Sequence, residues 1–307
     1  MPYREAVEYP LVDSFEVGID RQLNSYAALT DERLSSLIPG PETRPEGLHQ
    51  AMRYSCLAPG KRLRPALCMA SAEAVGSTAQ GVLNASCALE MVHAFSLIHD
   101  DLPAIDNDDL RRGQPSCHKK FGEAIAILAG DALFALAWET LACSPHEPSA
   151  VVECLRILSH SAGSDGLVGG EVVDVESEGK CVDGTTLDFI HSRKTGSLIS
   201  ASCQIGAILG GGTKDQISKL SVYGDSVGLA FQIADDLLNE LSTAEILGKA
   251  AGSDRERMKA TYPAVYGIDA ARNAANKCVE QALEALKDLP TSANLAGLAR
   301  FAIERIN

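Results

Sequence analysis

The stretch Glu90–Gly113, EMVHAFSLIHDDLPAIDNDDLRRG, decides the fold because an apolar helical pattern runs directly into five aspartates. Apolar residues fall on most faces of the preceding segment, residues 82–99, which predicts a helix buried nearly all round. Carboxylates at the end of such a helix are costly to bury unless a cation neutralises them. The stretch therefore predicts a buried helix that ends in an acidic, cation-binding site.

The spacing within this acidic stretch favours a distorted helix end. Asp100 and Asp106 are six positions apart, which on an ideal helix places them about 120° apart around the axis. Pro103 lies between them and disfavours a regular helix, so a local distortion could bring the two carboxylates together. A plain polar helix terminus is the alternative, and five aspartates within ten residues argue against it.

The rest of the chain reads as further helices. Residues 121–141, 198–209 and 220–238 repeat the all-round apolar pattern, and strict alternation of period two is almost absent. No strand–glycine–helix unit appears, which argues against a Rossmann or P-loop fold. Helices that are apolar on most faces need other helices around them. We therefore expect an all-α protein, a single domain over residues 1–307 built as one large helical bundle.

Two further acidic sets follow. In FQIADDLLNE, Asp235 and Asn239 share a helix face, and Asp236 lies beside them. Carboxylate oxygens with few soft ligands nearby suit Mg²⁺, which keeps waters and bridges to phosphates. A solvated helix end is the alternative for this pair of aspartates. Glu171 and Asp174 are either supporting acids or helix-start residues favoured by the helix dipole.

Basic clusters accompany the acids in a chain whose formal net charge is -14. In so acidic a chain, basic groups beside aspartates indicate a diphosphate held partly by Mg²⁺ and partly by Arg or Lys. Taken alone, either Lys249 or Lys259 would be interpreted as a solvated surface charge. The clusters are Lys61, Arg62 and Arg64; Arg111 and Arg112; His191, Arg193 and Lys194; and Lys249 with Lys259.

Composition and missing motifs exclude several classes. The negative charge opposes broad binding to nucleic acid or anionic membranes. Nine cysteines form no CxxC pair, which favours reduced thiols. The first residues lack an apolar signal core, and Asp131 and Glu139 interrupt the most apolar stretch, residues 124–142. We expect a cytoplasmic protein without a membrane span. No nucleophile or zinc motif appears, so ionisation chemistry on a greasy diphosphate is favoured.

Seven ordered blocks resemble the trans-isoprenyl diphosphate synthase family over nearly the whole chain, and bacterial-type farnesyl diphosphate synthases most closely. They are GKRLRP, EMVHAFSLIHDDLPAIDNDDLRRG, FGEAIAILAGDAL, GLVGGE, HSRKTGSL, GLAFQIADDLLNE and LGKAAGSDRERMKATYP. The resemblance implies the isoprenoid synthase fold, a helical bundle around a deep central cavity, usually as a homodimer. It implies prenyl transfer: isopentenyl diphosphate elongates an allylic diphosphate such as dimethylallyl or geranyl diphosphate, with three Mg²⁺ ions.

The resemblance also assigns roles, position by position. Direct metal ligands would be Asp100, Asp106 and Asp235, supported by Asp101 and Asp236. Isopentenyl diphosphate would be held by Lys61, Arg64, His93 and Arg112. The allylic diphosphate would be held by Arg111, Lys194, Lys249 and Lys259, while Thr195 and Gln232 would stabilise the allylic cation. Two positions depart from the family pattern: Asn239 stands where Asp is usual, and Glu171 where Gln is usual.

Product length is read from the turn before the first acidic motif. Phe95 and Ser96 lie five and four residues before Asp100. In the farnesyl synthases that the chain resembles, an aromatic side chain at the position of Phe95 forms a floor that stops growth at C15, which predicts farnesyl diphosphate. The alternatives are a geranylgeranyl (C20) or longer-chain synthase, and a non-catalytic subunit of such an enzyme. A terpene cyclase is disfavoured because cyclases lack GKRLRP.

Overall fold

The computed structural model describes residues 13–241 and 259–306, so Lys249 lies outside the described residues. The α-helices in these ranges are α1 Asp13–Leu37, α2 Glu46–Cys56, α3 Leu63–Ala74, α4 Leu83–Asp100, α5 Cys117–Phe121, α6 Glu123–Ala142, α7 Pro148–Ala162, α8 Leu167–Ser177, α9 Gly184–Ile190, α10 Ser197–Leu209, α11 Lys214–Leu241, α12 Tyr262–Tyr266, α13 Ile268–Ala285 and α14 Ala293–Ile303. A π-helical segment, His191–Gly196, joins α9 to α10, and short 3₁₀ turns cover Ala79–Val82 and Glu304–Ile306.

The all-α prediction is confirmed. Within the described ranges the strands are two residues long each, β1 Leu110–Arg111 and β2 Gln114–Pro115, paired as one antiparallel hairpin. A contiguous apolar core runs from Leu23 to Ile306. Helix α4 lies at its centre, packed against α3, α6 and α10, as its all-round apolar pattern predicts.

The end of α4 shows the expected distortion. The helix ends at Asp100, and Pro103 sits in the turn that follows. The chain then folds back, so that the backbone N–H of Asp106 donates to the carbonyl oxygen of Asp100 at 2.8 Å. This turn places the two aspartates beside each other, which a continuing helix would not do.

Helix α6 corrects one expectation. The sequence predicts one helix over residues 121–141, buried as part of the core. Gly122, at φ 85°, instead separates α5 from α6. One face of α6 is open, with Ile127 43% and Leu128 53% exposed. By length and composition alone, Ala79–Asp100 and Glu123–Ala142 could each cross a membrane, and α4 within the first of these spans is mostly buried in the protein.

The π-helical segment is wedged between two glycines. A Cβ on Gly170 of α8 would lie 2.2 Å from the backbone nitrogen of Lys194, and one on Gly228 of α11 would lie 2.8 Å from the Cα of Gly196. Only glycine permits such close approach of backbones. The two contacts hold the segment between α8 and α11, so the side chains of Lys194 and Thr195 are fixed relative to both helices.

A methyl group at Gly170 tests this wedge. Gly170→Ala forces the segment and α8 apart, and we expect the free energy of unfolding to fall by about 1–3 kcal/mol. Urea denaturation at constant pH measures it. The control is Gly47→Ala in α2, where a Cβ meets nothing within 4 Å, so stability is unchanged or slightly raised. Equal stabilities of the Gly170 and Gly47 variants would contradict the wedge.

Candidate active site

Two cavities meet at the centre of the bundle. One, of about 170 Å³, is lined mainly by acids and by Lys194 and Lys259. The other, of about 530 Å³, opens between the GKRLRP turn and α4 and contains most of the predicted basic residues. Because they share a wall, a ligand in one cavity reaches a ligand in the other. The shared residues are Asp100, Arg111, Lys194, Thr195, Gln232 and Asp235.

In the first cavity, called the acidic cavity below, two lysines form ion pairs with carboxylates. The Lys194 Nζ lies 2.6 Å from Glu171 Oε2 and 2.6 Å from Asp174 Oδ2. The Lys259 Nζ lies 2.8 Å from Asp106 Oδ1 and 3.5 Å from Asp174 Oδ2. Burial alone would lower the pKa of Lys194, but the surrounding carboxylates outweigh it and hold that pKa above its ordinary value. Both lysines therefore stay charged beside the aspartates.

The ionised form of Asp100 is disfavoured by its surroundings. Burial, followed by repulsion from Glu171, raises its pKa to about 8 despite the attraction of Lys194. A carboxyl group in this state gains from a further cation, which would favour its ionised form. The site is therefore short of positive charge, and a divalent ion would supply it.

The donor set fits Mg²⁺. Asp100, Asp106 and Asp235 offer carboxylate oxygens on one cavity wall. Over residues 13–241 and 259–306, no three His, Cys, Asp or Glu side chains converge closely enough to chelate one ion by themselves. Mg²⁺ is commonly held by one or two carboxylates and completed by water and phosphate oxygens. The arrangement thus fits an ion that bridges the protein to an anionic ligand.

Asp101 is turned away from this cavity. Its carboxylate is buried and accepts a 2.9 Å hydrogen bond from Nε of Arg111, with a second contact from the same guanidinium. The guanidinium also lies 3.5 Å from Asp108 Oδ2. Asp101 therefore fixes Arg111, whose side chain lines both cavities.

Asp236 is likewise occupied, on both oxygens. Its Oδ1 accepts from Nε2 of Gln232 at 2.9 Å, and its Oδ2 accepts from the backbone N–H of Tyr262 at 2.8 Å. The Nε2 of His191 lies 3.2 Å from Oδ2, and the His191 ring stacks on Tyr262 with centroids 6.1 Å apart. Asp236 thereby ties α11 to the π-helical segment and to the start of α12.

The Gln232 amide links Asp236 to Thr195 through two hydrogen bonds. Because its nitrogen donates to Asp236, its carbonyl oxygen faces the π-helical segment and accepts from Thr195 Oγ1 at 2.7 Å. The hydroxyl and the carbonyl oxygen lie on the shared wall of the two cavities. Two polar groups from helices 37 positions apart in sequence are thus brought together.

The second cavity, called the basic cavity, collects Lys61, Arg64, His93 and Arg112, as the sequence predicts. Burial, with repulsion from Arg112, lowers the pKa of Arg64 to about 10. Burial and the neighbouring arginines lower the pKa of His93 well below its ordinary value, so this imidazole is neutral at pH 7. Like charges crowded in this way favour an anion.

Arg62 belongs to the first basic cluster of the sequence, but the family resemblance assigned it no role, and its contacts in the fold are structural. It adopts a left-handed conformation at φ 49°, and its buried side chain lies at the wall of the basic cavity. Its guanidinium lies 2.7 Å from Asp31 Oδ1 and 2.7 Å from Glu90 Oε1. The signal in the sequence was Glu90, an acid inside an apolar helix that must find a cation.

The remaining predicted positions lie as follows. Glu171 is buried on the wall of the basic cavity, and Asn239 is buried beside a third space that also borders Asp236. Ser96 lines the basic cavity. Phe95 contacts Phe134 of α6, with ring centroids 4.8 Å apart, so its ring faces α6.

The neutral state of His93 makes stability depend on pH. Its folded pKa lies below the unfolded value of about 6.5, so below that pH the unfolded chain binds a proton that the folded chain excludes. Its contribution to the free energy of unfolding therefore falls as pH drops, by at most about 1.4 kcal/mol per pH unit.

We expect His93→Asn to flatten the decline between about pH 7 and pH 5, the range below the imidazole's unfolded pKa. Urea denaturation across this range measures it. His160→Asn, at an exposed ring of α7, is the control and should leave the wild-type slope. An unchanged slope in the His93 variant would contradict a neutral, buried imidazole.

The chain is similar to known proteins over most of its length. Residues 45–295 match the polyprenyl synthetase family. The chain is 44% identical over 290 residues to large subunit 1 of the heterodimeric geranylgeranyl pyrophosphate synthase of Arabidopsis thaliana, covering 92% of this chain and 78% of that protein. It is 45% identical to a dimethylallyltranstransferase of Fischerella ambigua, covering 92% and 84%.

A solved structure shows the same likeness. The apo structure of an FPP/GFPP synthase from Zymomonas mobilis superposes with a TM-score of 0.83 at 36% identity, covering 94% of this chain and 99% of that one. The helical bundle is accordingly that of an isoprenyl synthase. This chain belongs to the polyprenyl synthetase family of trans-prenyltransferases.

Proposed function

We propose that this protein joins isopentenyl diphosphate to allylic diphosphates and forms geranylgeranyl diphosphate, the C20 product. One observation carries the proposal: the acidic and basic cavities share Lys194, Thr195 and Gln232 on a common wall. Two diphosphates held in the two cavities would therefore have their reacting carbons at this wall.

The charges of the cavities assign the substrates. The acidic cavity suits the allylic diphosphate, because its aspartates would hold Mg²⁺ and its lysines, Lys194 and Lys259, would neutralise the leaving group. The basic cavity suits isopentenyl diphosphate, whose diphosphate is not lost and needs only Arg64, Arg112 and the other cations there. Lys249, outside the described residues, is proposed for the allylic diphosphate on the family pattern alone.

Mg²⁺, when bound, would neutralise the charge that develops on the departing diphosphate. The chain's own groups add to this. Lys194 and Lys259 face the same leaving group, and Arg111 is held towards it by Asp101. Fixed cations of this kind stabilise a developing charge without reorganising during the reaction. Three ions are expected, as in the family that the sequence resembles.

The reaction proceeds by ionisation, condensation and elimination. The allylic C1–O bond breaks, and C1 then bonds to C4 of isopentenyl diphosphate. A proton leaves C2 of the former isopentenyl unit and passes to the departed diphosphate. Thr195 and Gln232 present oxygen atoms to the cation at the shared wall. Leu97, Leu167 and Phe231 line the basic cavity and would help to exclude water, which would otherwise trap the cation.

The C20 product is supported by the side chain that lines the cavity below the aspartates. That residue is Ser96, which leaves room, whereas Phe95 turns its ring to Phe134 of α6. The name of the Arabidopsis thaliana relative, a geranylgeranyl pyrophosphate synthase subunit, points the same way.

The C15 product remains the second candidate. Phe95, Phe134 and Trp138 form an aromatic cluster between α4 and α6, with neighbouring ring centroids 4.8 Å and 5.3 Å apart. A prenyl tail that grew between these two helices would meet this cluster and stop. The sequence-based prediction of farnesyl diphosphate rests on the same ring of Phe95.

We also propose that the protein acts as a homodimer through α6. The open face of this helix carries Ile127 and Leu128, which a second copy would cover. Sedimentation of the wild type against Leu128→Lys tests it, and a monomeric wild type would contradict it.

Product length is tested with purified protein, isopentenyl diphosphate, Mg²⁺ and each allylic starter. We expect C20 products, and no product after EDTA removes the metal. A C15 product alone would move the assignment to the second candidate. No condensation with any starter would contradict prenyl transfer and favour a non-catalytic subunit.

Phe95→Ala separates the two product assignments further. If the aromatic cluster limits growth, the variant lengthens the product by one or more C5 units. If Ser96 lines the path and Phe95 only packs against α6, the product distribution stays at C20, which is our expectation. Phe189→Ala, which removes an exposed ring on α9, is the matched control.

Substitutions of Asp235 and Asp236, the two aspartates of FQIADDLLNE, should have different effects on catalysis. Asp235→Asn removes a proposed Mg²⁺ ligand, so we expect the Mg²⁺ concentration for half-maximal rate to rise about tenfold or more, the cost of a weakened ligand set. Asp236→Asn disturbs the Gln232 amide, so kcat falls while the Mg²⁺ dependence stays near that of the wild type. Equal shifts in Mg²⁺ dependence would contradict the orienting role of Asp236.

A further inference from the structure

The last helix, α14, brings an aromatic ring to the mouth of the basic cavity. The Nζ of Lys61 lies 4.1 Å from the ring centroid of Phe301. The ring itself is 8% exposed, while Lys61 is exposed and lines the cavity. The separation is well within the range of a cation–π interaction.

The ring has little freedom to move, because α14 is anchored along its length. At its start, the Asn294 Nδ2 donates to Glu73 Oε2 and to Tyr26 Oη, at 3.0 Å each. One residue on, the Leu295 carbonyl oxygen accepts from Tyr223 Oη at 2.7 Å. These bonds tie α14 to α1, α3 and α11.

The chain just beyond α14 is tied as well. The carbonyl oxygen of Ile306 accepts from Nη1 of Arg272, on α13, at 2.6 Å. Phe301 therefore lies between two fixed points of the backbone. A ring held in this way is a rigid surface against which a flexible side chain can rest.

The backbone next to Lys61 is equally fixed. Arg62 follows directly and is locked by its ion pairs with Asp31 and Glu90. Lys61 itself carries its ammonium on a four-carbon stem, and ordering such a stem costs rotamer entropy. A partner that orders the stem before substrate binds reduces that cost at the moment of binding.

We propose that Phe301 is a positioning residue that holds the Lys61 ammonium ready for the diphosphate of isopentenyl diphosphate. A ring attracts the ammonium without cancelling its charge, whereas a carboxylate would compete with the incoming diphosphate for it. The proposal rests on the function proposed above, in which the basic cavity binds isopentenyl diphosphate. It makes the last helix a determinant of affinity for that substrate.

A double-mutant cycle tests it, with Phe301→Leu, Lys61→Met and the pair combined. Phe301→Leu keeps an apolar side chain and removes the ring. We expect its KM and dissociation constant for isopentenyl diphosphate to rise roughly two- to fivefold, as for loss of an exposed cation–π contact. The KM for the allylic substrate and kcat stay unchanged. Phe301→Tyr restores wild-type affinity, and in the Lys61→Met background the Leu substitution has no further effect.

A merely structural role gives a different pattern. If the ring only stabilises α14, Phe301→Leu weakens both substrates or acts equally in the Lys61→Met background, and either result overturns the proposal. Unchanged affinity in Phe301→Leu also overturns it. Thermal unfolding of each variant confirms that it folds. The control Phe121→Leu removes a ring that lies near a different lysine, Lys120, away from the cavity.

Failure of the underlying function is distinguishable. Calorimetric titration of the wild type with isopentenyl diphosphate needs no turnover. Wild type that binds none overturns the proposed function and this proposal together. Wild type that binds, with Lys61→Met binding equally well, overturns only the placement of Lys61 and with it the role of Phe301.

Discussion

The pairing of Lys194 with Glu171 and Asp174 is the interaction on which the rest of the site depends. The pairing lies at the wall between the cavities, so it links the charged groups of one cavity to those of the other. The wall exists because the π-helical segment is pressed between α8 and α11, where glycines allow backbone contact. Without that contact Lys194 would not reach both carboxylates, and Thr195 would not meet Gln232.

Carboxylates lie close together in the acidic cavity, and cations lie close together in the basic cavity. The two cavities therefore favour ligands of opposite charge. Burial, followed by repulsion from Glu171, raises the pKa of Asp100, whereas burial with repulsion from neighbouring arginines lowers those of Arg64 and His93. Each cavity therefore loses electrostatic repulsion when it binds the ion it lacks, a divalent cation in one and a diphosphate in the other. A metal-bound diphosphate in the first and a bare diphosphate in the second is the pairing that prenyl transfer needs.

Sequence predicted the parts whose cause is local. Pro103 predicted the turn that brings Asp100 beside Asp106, and the apolar pattern of residues 82–99 predicted the central helix. It did not predict that Arg111 and Tyr262 would engage Asp101 and Asp236, because those partners meet only in the folded chain. Nor did it predict the open face of α6, since an all-round apolar helix looks the same whether another helix or another molecule covers it.

The site also shows three ways of holding a buried cation, and they differ in what they leave for a substrate. Carboxylates fix Arg62 fully, and that arginine serves the fold alone. Lys194 pairs with Glu171 and Asp174, so a diphosphate that bound it would compete with these carboxylates. In the proposed arrangement, the ring of Phe301 positions the Lys61 ammonium without itself neutralising its charge.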